Sequence, residues 1–410
     1  MSGVIIVGAG PGGIAAAVTA AQAGAKVTVL DDNVAVGGQI WRGGYHEYSP
    51  WIGRLAQSTV TLVNGVRVVS GDSDRRTLLL DHQGEAEELS YSKLILATGA
   101  RELFLPFPGW TLPNVMGVGG LQALVKCGLP ISNKRIVVAG SGPLLLAVAS
   151  YLRKGGAAVP LIAEQTSLRD LASFTVSLAA AHPAKLWQAV HLNPGPRYRS
   201  GCWIEAALGS SRVEAVRVRR GTRAWEESCD YVANSYGFVA NTELAALLGC
   251  KVEHGAVKVD SSQQTSVGDI YCVGETAGIG GVDTALVEGQ VAGYAACGQL
   301  PQASRLQPAR RKARSFARLL NHTFQPRPEL RTLGQPDTIV CRCEDVPLAR
   351  LRSADSWRSA KLHERCGMGP CQGRICGPAT QFILGWEPSS VRPPLFPTCL
   401  GNLLQENSVK

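Results

Sequence analysis

The sequence predicts an α/β fold with two parallel-sheet domains, one inserted in the other, followed by a small helical domain that is rich in cysteine. Two apolar runs, at residues 4–7 and 136–139, each lead into a glycine-rich turn and then into small or aliphatic residues. Strands that alternate with helices in this way are typical of parallel sheets. Five of the twelve cysteines crowd into residues 341–376 and mark the last domain.

Composition indicates a globular protein of two or three domains. The chain has 410 residues, of which 45% are hydrophobic, and its net charge is +9. No apolar run could span a bilayer, and the first residues lack the basic region and cleavage site of a signal peptide. We therefore expect a cytoplasmic protein without a transmembrane segment.

Positive charge is concentrated on one predicted helix in the last third of the chain. The basic residues there are Arg305, Arg310, Arg311, Lys312, Arg314 and Arg318. No nucleic-acid recognition motif accompanies them, so we expect no nucleic-acid partner. They indicate either a solvated helix face or a surface for an acidic protein.

The first glycine turn has the residue types that a dinucleotide requires. Gly8 permits the tight turn, Gly10 lets the backbone approach a pyrophosphate, and Gly13 lets the helix pack close to the strand. An acid ends the second strand about 20 residues further on, where a ribose hydroxyl is held. The cofactor contacts predicted here come from Gly8, Gly10, Pro11, Gly12, Gly13, Asp31 and Asp32. Strand, turn, helix, strand and acid together predict a Rossmann-like site.

Three later segments complete the predicted site of the first domain. They contain Gly38 and Gln39, then Ala97, Thr98 and Gly99, and finally Glu275 and Gly281. Glycines beyond the second strand let the chain pass close to a cofactor, and small residues leave room at a strand end. Glu275 can hold a ribityl hydroxyl, and the N-terminus of the next helix can face a flavin pyrimidine.

A second glycine turn repeats the pattern of strand, turn and helix. Its candidate ligand-binding residues are Gly140, Ser141, Gly142, Pro143 and Glu164, the last at the end of a strand predicted over residues 158–162. Leu145 stands where a third glycine is expected, so helix and strand are pushed apart or the turn changes. NAD(P)H, an adenine nucleotide such as ATP, and an empty site all remain open, and we expect poor reduction by NADH and NADPH.

The cysteine segment predicts a metal centre. Cys341 and Cys343 form one close pair, and Cys371 and Cys376 form another in a glycine-rich loop. Four such thiolates can enclose an iron–sulfur cluster. Zinc is the main competitor, although the C-x-x-C pairs of common zinc sites are missing. Cys366 is a fifth candidate, but the Gly-Met-Gly-Pro stretch after it lets the chain direct it away.

The order of the first-domain motifs resembles that of two-dinucleotide-binding-domain flavoproteins, which include thioredoxin and glutathione reductases. The matching stretches are residues 8–13, Asp31, residues 97–99 and residues 271–275. This resemblance implies a glutathione-reductase-like fold that binds FAD through the outer segments and, in most members, NAD(P)H through the inserted domain. Glu275 departs from the aspartate usual in that family. The inserted domain also lacks a redox C-x-x-C pair, which argues against a disulfide reductase.

The cysteine segment resembles the 2Fe–2S domain of bacterioferritin-associated ferredoxin. Nearly the whole chain resembles the flavoprotein α subunits of opine oxidases, hydrogen cyanide synthase, and dye-linked proline and hydroxyproline dehydrogenases. The matching stretches are residues 107–110, 119–124, 139–146, 236–238, 341–343 and 367–376. The resemblance implies that Cys341, Cys343, Cys371 and Cys376 hold a 2Fe–2S cluster, while Cys366 has no counterpart. It also implies two partners, namely a small ferredoxin-like γ subunit and a β subunit that contains FAD and is similar to amino-acid oxidases.

These observations predict an FAD-dependent oxidoreductase that serves as the electron-transfer α subunit of a D-hydroxyproline, proline or opine dehydrogenase. It would pass electrons from the β subunit to an acceptor, through which it could lie peripherally at the inner membrane. The alternatives are a self-sufficient NAD(P)H-dependent ferredoxin-type or other FAD reductase, and an iron–sulfur assembly factor without flavin. The predicted domains are residues 1–110 with 236–300 for FAD, 111–235 inserted, 301–335 as a helical linker, 336–384 for the cluster, and 385–410 as a tail.

Overall fold

The computed structural model describes residues 3–42, 49–191, 197–387 and 391–404. The chain divides into two compact units. The first contains Met1–Arg101, Val239–Arg318 and Ser390–Lys410, and the second contains Glu102–Phe238 and Leu319–Ser389. The cysteine segment at 336–384, for which the sequence predicts a domain of its own, therefore lies in the second unit.

Strands are short and are spread along both units. In chain order they are β1 (Val4–Val7), β2 (Val27–Asp31), β3 (Thr61–Asn64), β4 (Val66–Asp72), β5 (Thr77–His82), β6 (Glu85–Ser90), β7 (Lys93–Leu96), β8 (Ala100–Glu102), β9 (Val115–Met116), β10 (Ile136–Gly140), β11 (Ile162–Glu164), β12 (Tyr198–Ser200), β13 (Trp203–Leu208), β14 (Ala215–Arg220), β15 (Arg223–Ser228), β16 (Tyr231–Ser235), β17 (Phe238–Ala240), β18 (Val252–Glu253), β19 (Ala256–Val257), β20 (Ile270–Cys272), β21 (Ile339–Cys341) and β22 (Val346–Pro347).

Helices follow most of the parallel strands. In chain order they are α1 (Pro11–Gln22), α2 (Pro50–Ala56), α3 (Val118–Lys126), α4 (Leu144–Lys154), α5 (Leu168–Ala181), α6 (Pro183–His191), α7 (Glu243–Leu247), α8 (Gly281–Ala296), α9 (Leu300–Arg305), α10 (Gln307–Thr323), α11 (Leu348–Leu351), α12 (Trp357–Glu364), α13 (Cys376–Leu384) and α14 (Leu400–Leu404). Short 3-10 helices lie at Gly274–Ala277 and Pro328–Thr332.

The first unit is built on a parallel sheet in the order β20-β7-β1-β2-β3. Every residue of β1 is buried, as expected for a central strand that is covered on both faces. An antiparallel sheet, β4-β5-β6, belongs to the same unit. The first glycine turn follows β1 and so lies at the carboxyl edge of the parallel sheet, where open α/β sheets bind ligands.

Helices α1 and α8 pack closely because small residues face each other. A Cβ at Gly289 would lie 2.3 Å from the carbonyl oxygen of Gly12, and a Cβ at Gly293 would lie 2.7 Å from that of Ala16. Such short separations leave no space for a side chain at either glycine. The helix that follows the first turn is thereby held against the helix that follows β20.

The second unit has a similar five-stranded parallel sheet, in which β10 is the central strand and β9, which precedes it in the chain, lies at one edge. Its parallel sheet runs β12-β11-β10-β16-β9, and β13-β14-β15 form a separate antiparallel sheet. Strand β11 begins at Ile162 rather than at residue 158, which makes only an isolated bridge with Arg135. Pro160 explains the difference, because a proline cannot donate a ladder hydrogen bond.

Leu145 lies in the first turn of α4. When the turns are matched at Gly8 and Gly140, α4 begins one residue later than α1. The Leu145 side chain is fully buried in the core between α4 and the sheet. The bulky residue thus packs into the core from the first turn of α4, and the wider separation or changed turn expected from the sequence stays a prediction.

The cysteine segment has a small core of its own within the second unit. Buried apolar residues from β21, β22, α11 and α12 surround the cysteines, and Trp357 is among them. The indole nitrogen of Trp110 donates a hydrogen bond of 2.6 Å to the carbonyl oxygen of Ile339. No helix in the described part of the chain is long and apolar enough to cross a membrane.

Replacement of Gly289 by alanine tests the α1–α8 contact. We expect Gly289→Ala to lower the free energy of unfolding by about 1–3 kcal/mol, because the new methyl group meets backbone atoms. Gly120→Ala is the matched control, since no described atom lies within 4 Å of a Cβ at this helical glycine. Its expected effect is a gain of up to about 1 kcal/mol. Thermal unfolding measures both, and equal changes would contradict the packing argument.

Candidate functional site

The first glycine turn is held by backbone contacts that exclude side chains at two positions and leave one position open. A Cβ at Gly8 would lie 2.2 Å from the carbonyl oxygen of Ala97, and one at Gly13 would lie 1.9 Å from that of Gly8. By contrast, no atom of the described residues lies within 4 Å of a Cβ at Gly10. Gly10 therefore faces the space in which a pyrophosphate would lie.

Asp31 ties the end of β2 to this turn. Its buried carboxylate accepts a hydrogen bond from the amide of Ala9 and another, of 2.8 Å, from the amide of Asn33. Asp32, the neighbouring acid, has an exposed side chain. Asp31 thus lies beside the first turn with both carboxylate oxygens hydrogen-bonded within the chain, whereas Asp32 lies at the surface.

Residues 37 and 38 pass directly beside the turn. The amide of Gly37 donates a 2.8 Å hydrogen bond to the carbonyl oxygen of Ala9. A Cβ at Gly38 would lie 2.9 Å from the Cα of Gly10, so a side chain there would displace the turn. Gln39, which follows, is exposed.

Pro11 and Gly12 open helix α1 on the other side of the turn. Pro11 is the first residue of the helix, where the missing amide hydrogen of proline costs nothing. A Cβ at Gly12 would lie 3.3 Å from Cγ2 of Val273, in the segment after β20. The helix start is thus confined between the turn and that segment.

Thr98 supports the site rather than facing open space. Its hydroxyl donates to the carbonyl oxygen of Asn241 at 2.7 Å and lies 3.1 Å from the hydroxyl of Thr276. The side-chain amide of Asn241 donates back to the carbonyl oxygen of Thr98 at 2.8 Å. Asn241 and Thr276 were not predicted from the sequence, and no local motif marks them. Together these groups brace residues 97–99.

Glu275 combines one satisfied carboxylate oxygen with one that lacks a partner. Oε1 accepts a 2.7 Å hydrogen bond from the amide of Gly281, at the start of α8. Oε2 is buried and has no hydrogen-bond partner among the described residues. Burial raises the pKa of this carboxyl. An unpartnered buried acceptor costs free energy, and a cofactor hydroxyl would satisfy it.

A buried ion pair behind Glu275 was missed in the sequence. Glu288 of α8 is 1% exposed; it accepts from the amide of Gly274 at 3.1 Å and from Nε of Arg314 at 2.7 Å. Arg310 is also buried and donates to the carbonyl oxygen of Asp260. The alternative of a solvated face therefore fails for Arg310, whereas Arg314 faces Glu288 with 32% of its side chain exposed. The sequence of α8 did contain a signal for a buried acid, because Glu288 stands among apolar and small residues.

The second glycine turn is bound by its own acid. A Cβ at Gly140 would lie 1.7 Å from the carbonyl oxygen of Ser235. Glu164, which is fully buried, accepts 2.8 Å and 2.9 Å hydrogen bonds from the amides of Gly142 and Thr166. Burial raises the pKa of the Glu164 carboxyl to about 7, against the opposing effect of these amides.

Ser141 and Pro143 occupy the remaining predicted positions of the second turn. The hydroxyl of Ser141 donates a 2.9 Å hydrogen bond to the carbonyl oxygen of Phe324, from the same unit. Pro143 caps the start of α4. The contact with residue 324 has no signal in the sequence, because it joins segments far apart in the chain.

Three of the five cysteines form a buried group. The Sγ atoms of Cys341, Cys366 and Cys376 all lie within 4.8 Å of one another. The amide of Gly367 also donates to the sulphur of Cys341 at 3.5 Å. Hydrogen bonds from the thiols of Cys366 and Cys376 lower the pKa of Cys341. The same interactions with Cys341 raise the pKa values of Cys366 and Cys376.

The other two cysteines form an outer pair. Cys343 is exposed and Cys371 is half-buried; burial and then the neighbouring Cys371 raise the pKa of the Cys343 thiol. The structure thus departs from the expectation that Cys366 is directed away from the other cysteines. The reason is local: Arg365 ends α12 in a left-handed conformation, and the amide of Cys366 bonds back to the carbonyl oxygen of Ala360.

Trp357 fixes the loop that carries these cysteines. A Cβ at Gly367 would lie 2.7 Å from the Trp357 ring, and one at Gly373 would lie 2.9 Å from it. The ring therefore packs directly on the backbone at both glycines. Five thiols in one segment supply enough sulphur ligands for either an iron–sulfur cluster or zinc, so the donor set fits both.

The two parallel sheets, the open first turn and the acceptor at Glu275 together define an FAD-dependent oxidoreductase with two dinucleotide-binding folds. Comparison with known protein families agrees with this class. The family model described as pyridine nucleotide-disulphide oxidoreductase matches residues 2–292. The chain belongs to this family.

Similarity to particular proteins extends further along the chain. It is 32% identical to the A subunit of opine oxidase from Rhizobium meliloti, over 98% of this chain and 87% of that protein. It is 29% identical to hydrogen cyanide synthase subunit HcnB of Pseudomonas protegens, over 91% of this chain and 89% of that protein. Among solved structures, L-proline dehydrogenase from P. horikoshii shares the fold, with a TM-score of 0.72, 17% identity, and coverage of 98% of this chain and 78% of that one.

Substitutions at Gly10 and Asp31 test the flavin site. We expect Gly10→Val to abolish most flavin binding, because its side chain enters the open space beside the turn. Asp31→Ala should weaken binding by about tenfold or more, as expected for loss of a charged hydrogen bond. Flavin per protein is measured by absorbance after purification.

Gly268→Val is the matched control for Gly10→Val. Gly268 lies in the same unit, and no described atom lies within 4 Å of a Cβ there. The control should keep full flavin occupancy. Full occupancy in Gly10→Val or Asp31→Ala would show that the first turn does not hold the cofactor.

Proposed function

We propose that this chain is the FAD- and 2Fe–2S-containing electron-transfer subunit of a heteromeric dehydrogenase that oxidises D-hydroxyproline, proline or an opine. In this proposal the chain receives electrons from a separate β subunit that contains FAD and resembles amino-acid oxidases. It passes them on to an acceptor. A small ferredoxin-like γ subunit is a further partner.

The observation that carries the proposal is the extent of the similarity. The match to the opine oxidase relative covers 98% of the chain, so it includes both glycine turns and the cysteine segment. The names of this relative and of hydrogen cyanide synthase subunit HcnB both describe subunits of larger enzymes. The similarity to these relatives supports the proposal that a partner subunit, and not this chain, oxidises the substrate.

The flavin site assigns distinct roles to the residues of the first unit. Asp31 would orient the adenosine ribose, the open face at Gly10 would admit the pyrophosphate, and the free oxygen of Glu275 would accept a ribityl hydroxyl. The Glu288–Arg314 pair would keep the Glu275 turn in position through the amide of Gly274. Bound FAD would supply the two-electron chemistry, and a 2Fe–2S cluster the one-electron chemistry.

For the cluster, we propose Cys341, Cys343, Cys371 and Cys376 as ligands. The proximity of Cys371 to Cys343 and the buried position of Cys341 and Cys376 support this set. An amide on the sulphur of Cys341 also suits a cluster, since such bonds stabilise thiolate ligands. Cys366 competes for a place, because its sulphur lies in the buried group.

A self-sufficient NAD(P)H-dependent reductase is the second candidate. The second glycine turn favours it, since Glu164 ends β11 just as Asp31 ends β2. In that case the isolated chain would accept electrons from NAD(P)H without a partner. The two candidates therefore differ in where the electrons enter.

The source of electrons can be measured directly. We expect the tagged chain, isolated from its native host with its co-purifying subunits, to reduce an artificial dye with D-hydroxyproline, proline or an opine. The isolated flavin-loaded chain should react with none of these and only slowly with NADH or NADPH under anaerobic conditions. Rapid bleaching of its flavin by NADPH in stopped flow would favour the reductase and contradict the proposal.

Serine substitutions test the ligand set. Iron, labile sulfide and visible absorbance should be lost in the Cys341, Cys343, Cys371 and Cys376 variants and kept in Cys366→Ser, which is the matched control. Loss of the cluster should also loosen the segment, because metal binding adds to folding free energy. Loss in Cys366→Ser with retention in Cys371→Ser would overturn the assignment. Zinc without iron in anaerobically purified protein would overturn the cluster.

A further inference from the structure

A short segment of the chain lies on the second glycine turn. Residues 324–327 follow α10, and the carbonyl oxygen of Phe324 accepts the 2.9 Å hydrogen bond from the hydroxyl of Ser141. The Phe324 ring faces the second glycine: its Cγ would lie 3.7 Å from a Cβ at Gly142. The corresponding position in the first turn, Gly10, has no described atom within 4 Å. The two turns therefore differ at the glycine that a pyrophosphate approaches.

Gln165 fastens this segment to the sheet. The side chain is fully buried directly after β11. Its Nε2 donates at 2.9 Å to the carbonyl oxygen of Gln325 and to the hydroxyl of Ser141, and its Oε1 accepts from the amide of Arg327 at 3.0 Å. The buried side-chain amide of Gln165 thus pairs with one backbone carbonyl and one backbone N–H of the segment, as a neighbouring strand would. Hydrogen bonds of this kind are costly to break in a buried place.

An aromatic contact holds the segment from its other side. The rings of Phe174 and Phe324 meet edge to face, with centroids 5.1 Å apart. Such a pair adds stability beyond the burial of its surface. Phe324 is therefore anchored by its carbonyl group, by its ring and, through the next residues, by Gln165.

The polar groups of the turn are already satisfied within the chain. The amide of Gly142 donates to Glu164, and the amide of Ser141 donates to the carbonyl oxygen of Ser235 at 2.9 Å. In a dinucleotide site the helix N-terminus and the second glycine are available to the phosphates. Here a phosphate would have to displace Phe324 and compete with Glu164.

We propose that residues 324–327 act as an internal ligand that takes the place of a nucleotide pyrophosphate on the second turn. The second unit then binds neither NAD(P)H nor an adenine nucleotide through this turn. The segment is continuous with the cysteine segment, so the same stretch of chain covers the turn and leads to the thiols. The inference concerns nucleotide binding alone: it does not depend on which partner protein supplies the electrons, and it excludes NAD(P)H bound at this turn as their source.

Opening the segment should create a nucleotide site. The protein is used with its flavin as purified, and NADPH, NADH and ADP are titrated calorimetrically. We expect no saturable binding to the wild type at millimolar nucleotide. The double variant Gln165→Ala/Phe324→Ala should raise the apparent affinity by at least about tenfold, because a larger fraction of molecules exposes the turn. Val176→Ala, which removes an exposed side chain from α5, is the control and should behave as the wild type.

Hydrogen exchange tests the wild type without relying on a variant. The amide of Arg327, bonded to Gln165, should stay protected when millimolar NADPH is added. Saturable NADPH binding to the wild type with loss of this protection would overturn the proposal. A double variant that is folded by circular dichroism but gains no affinity would overturn it as well.

Discussion

Backbone atoms that approach closer than any side chain allows hold the first glycine turn in place. The carbonyl oxygen of Gly8 lies against Gly13, and the carbonyl oxygen of Ala97 lies against Gly8. These contacts set the position of α1 against the sheet, and Gly289 then sets the position of α8 against α1. The open face of Gly10 and the acceptor at Glu275 depend on this packing, because each lies at the start of one of these helices or just before it.

The two parallel sheets of this chain have a similar topology but differ in what surrounds the second glycine of the turn. Both parallel sheets place a glycine turn after a central strand and an acid at the end of the next strand. In both units the acid is buried and accepts a hydrogen bond from an amide of its turn. The second glycine is open in the first unit, whereas an aromatic ring lies against it in the second. Repetition of a fold therefore does not imply repetition of a binding site, since a ligand binds to particular exposed groups and not to the fold itself.

The cysteine segment shows how packing sets the position of its sulphurs. Trp357 lies against the backbone at Gly367 and Gly373, so the loop between these glycines has little room to move. The left-handed residue Arg365 then turns Cys366 toward Cys341. Five thiols are thus divided into a buried group of three and a more exposed pair. A metal centre in this segment must use sulphurs from both groups if it takes the ligand set implied by the family resemblance.

The sequence by itself determined the features that depend on local pattern. Strands that lead into glycine turns, an acid at a strand end (Asp31) and an acid shortly after one (Glu275) follow from spacing, because parallel strands place their carboxyl ends at one edge of a sheet. The late start of β11 was not predicted, although its cause is also local: Pro160 lacks the amide hydrogen that a strand ladder needs.

Only the tertiary structure decided which segments cover which sites. Phe324 lies 183 residues from Ser141, and Glu288 lies 26 residues from Arg314. Hydrophobic periodicity shows that a residue is buried but does not show which distant segment buries it. The contact of Phe324 with the second turn, the inward direction of Arg314 and the place of Cys366 beside Cys341 therefore required the folded chain. The contacts of Phe324 and Arg314 depend on packing between segments that are remote in sequence. The position of Cys366 depends on the left-handed backbone conformation of Arg365.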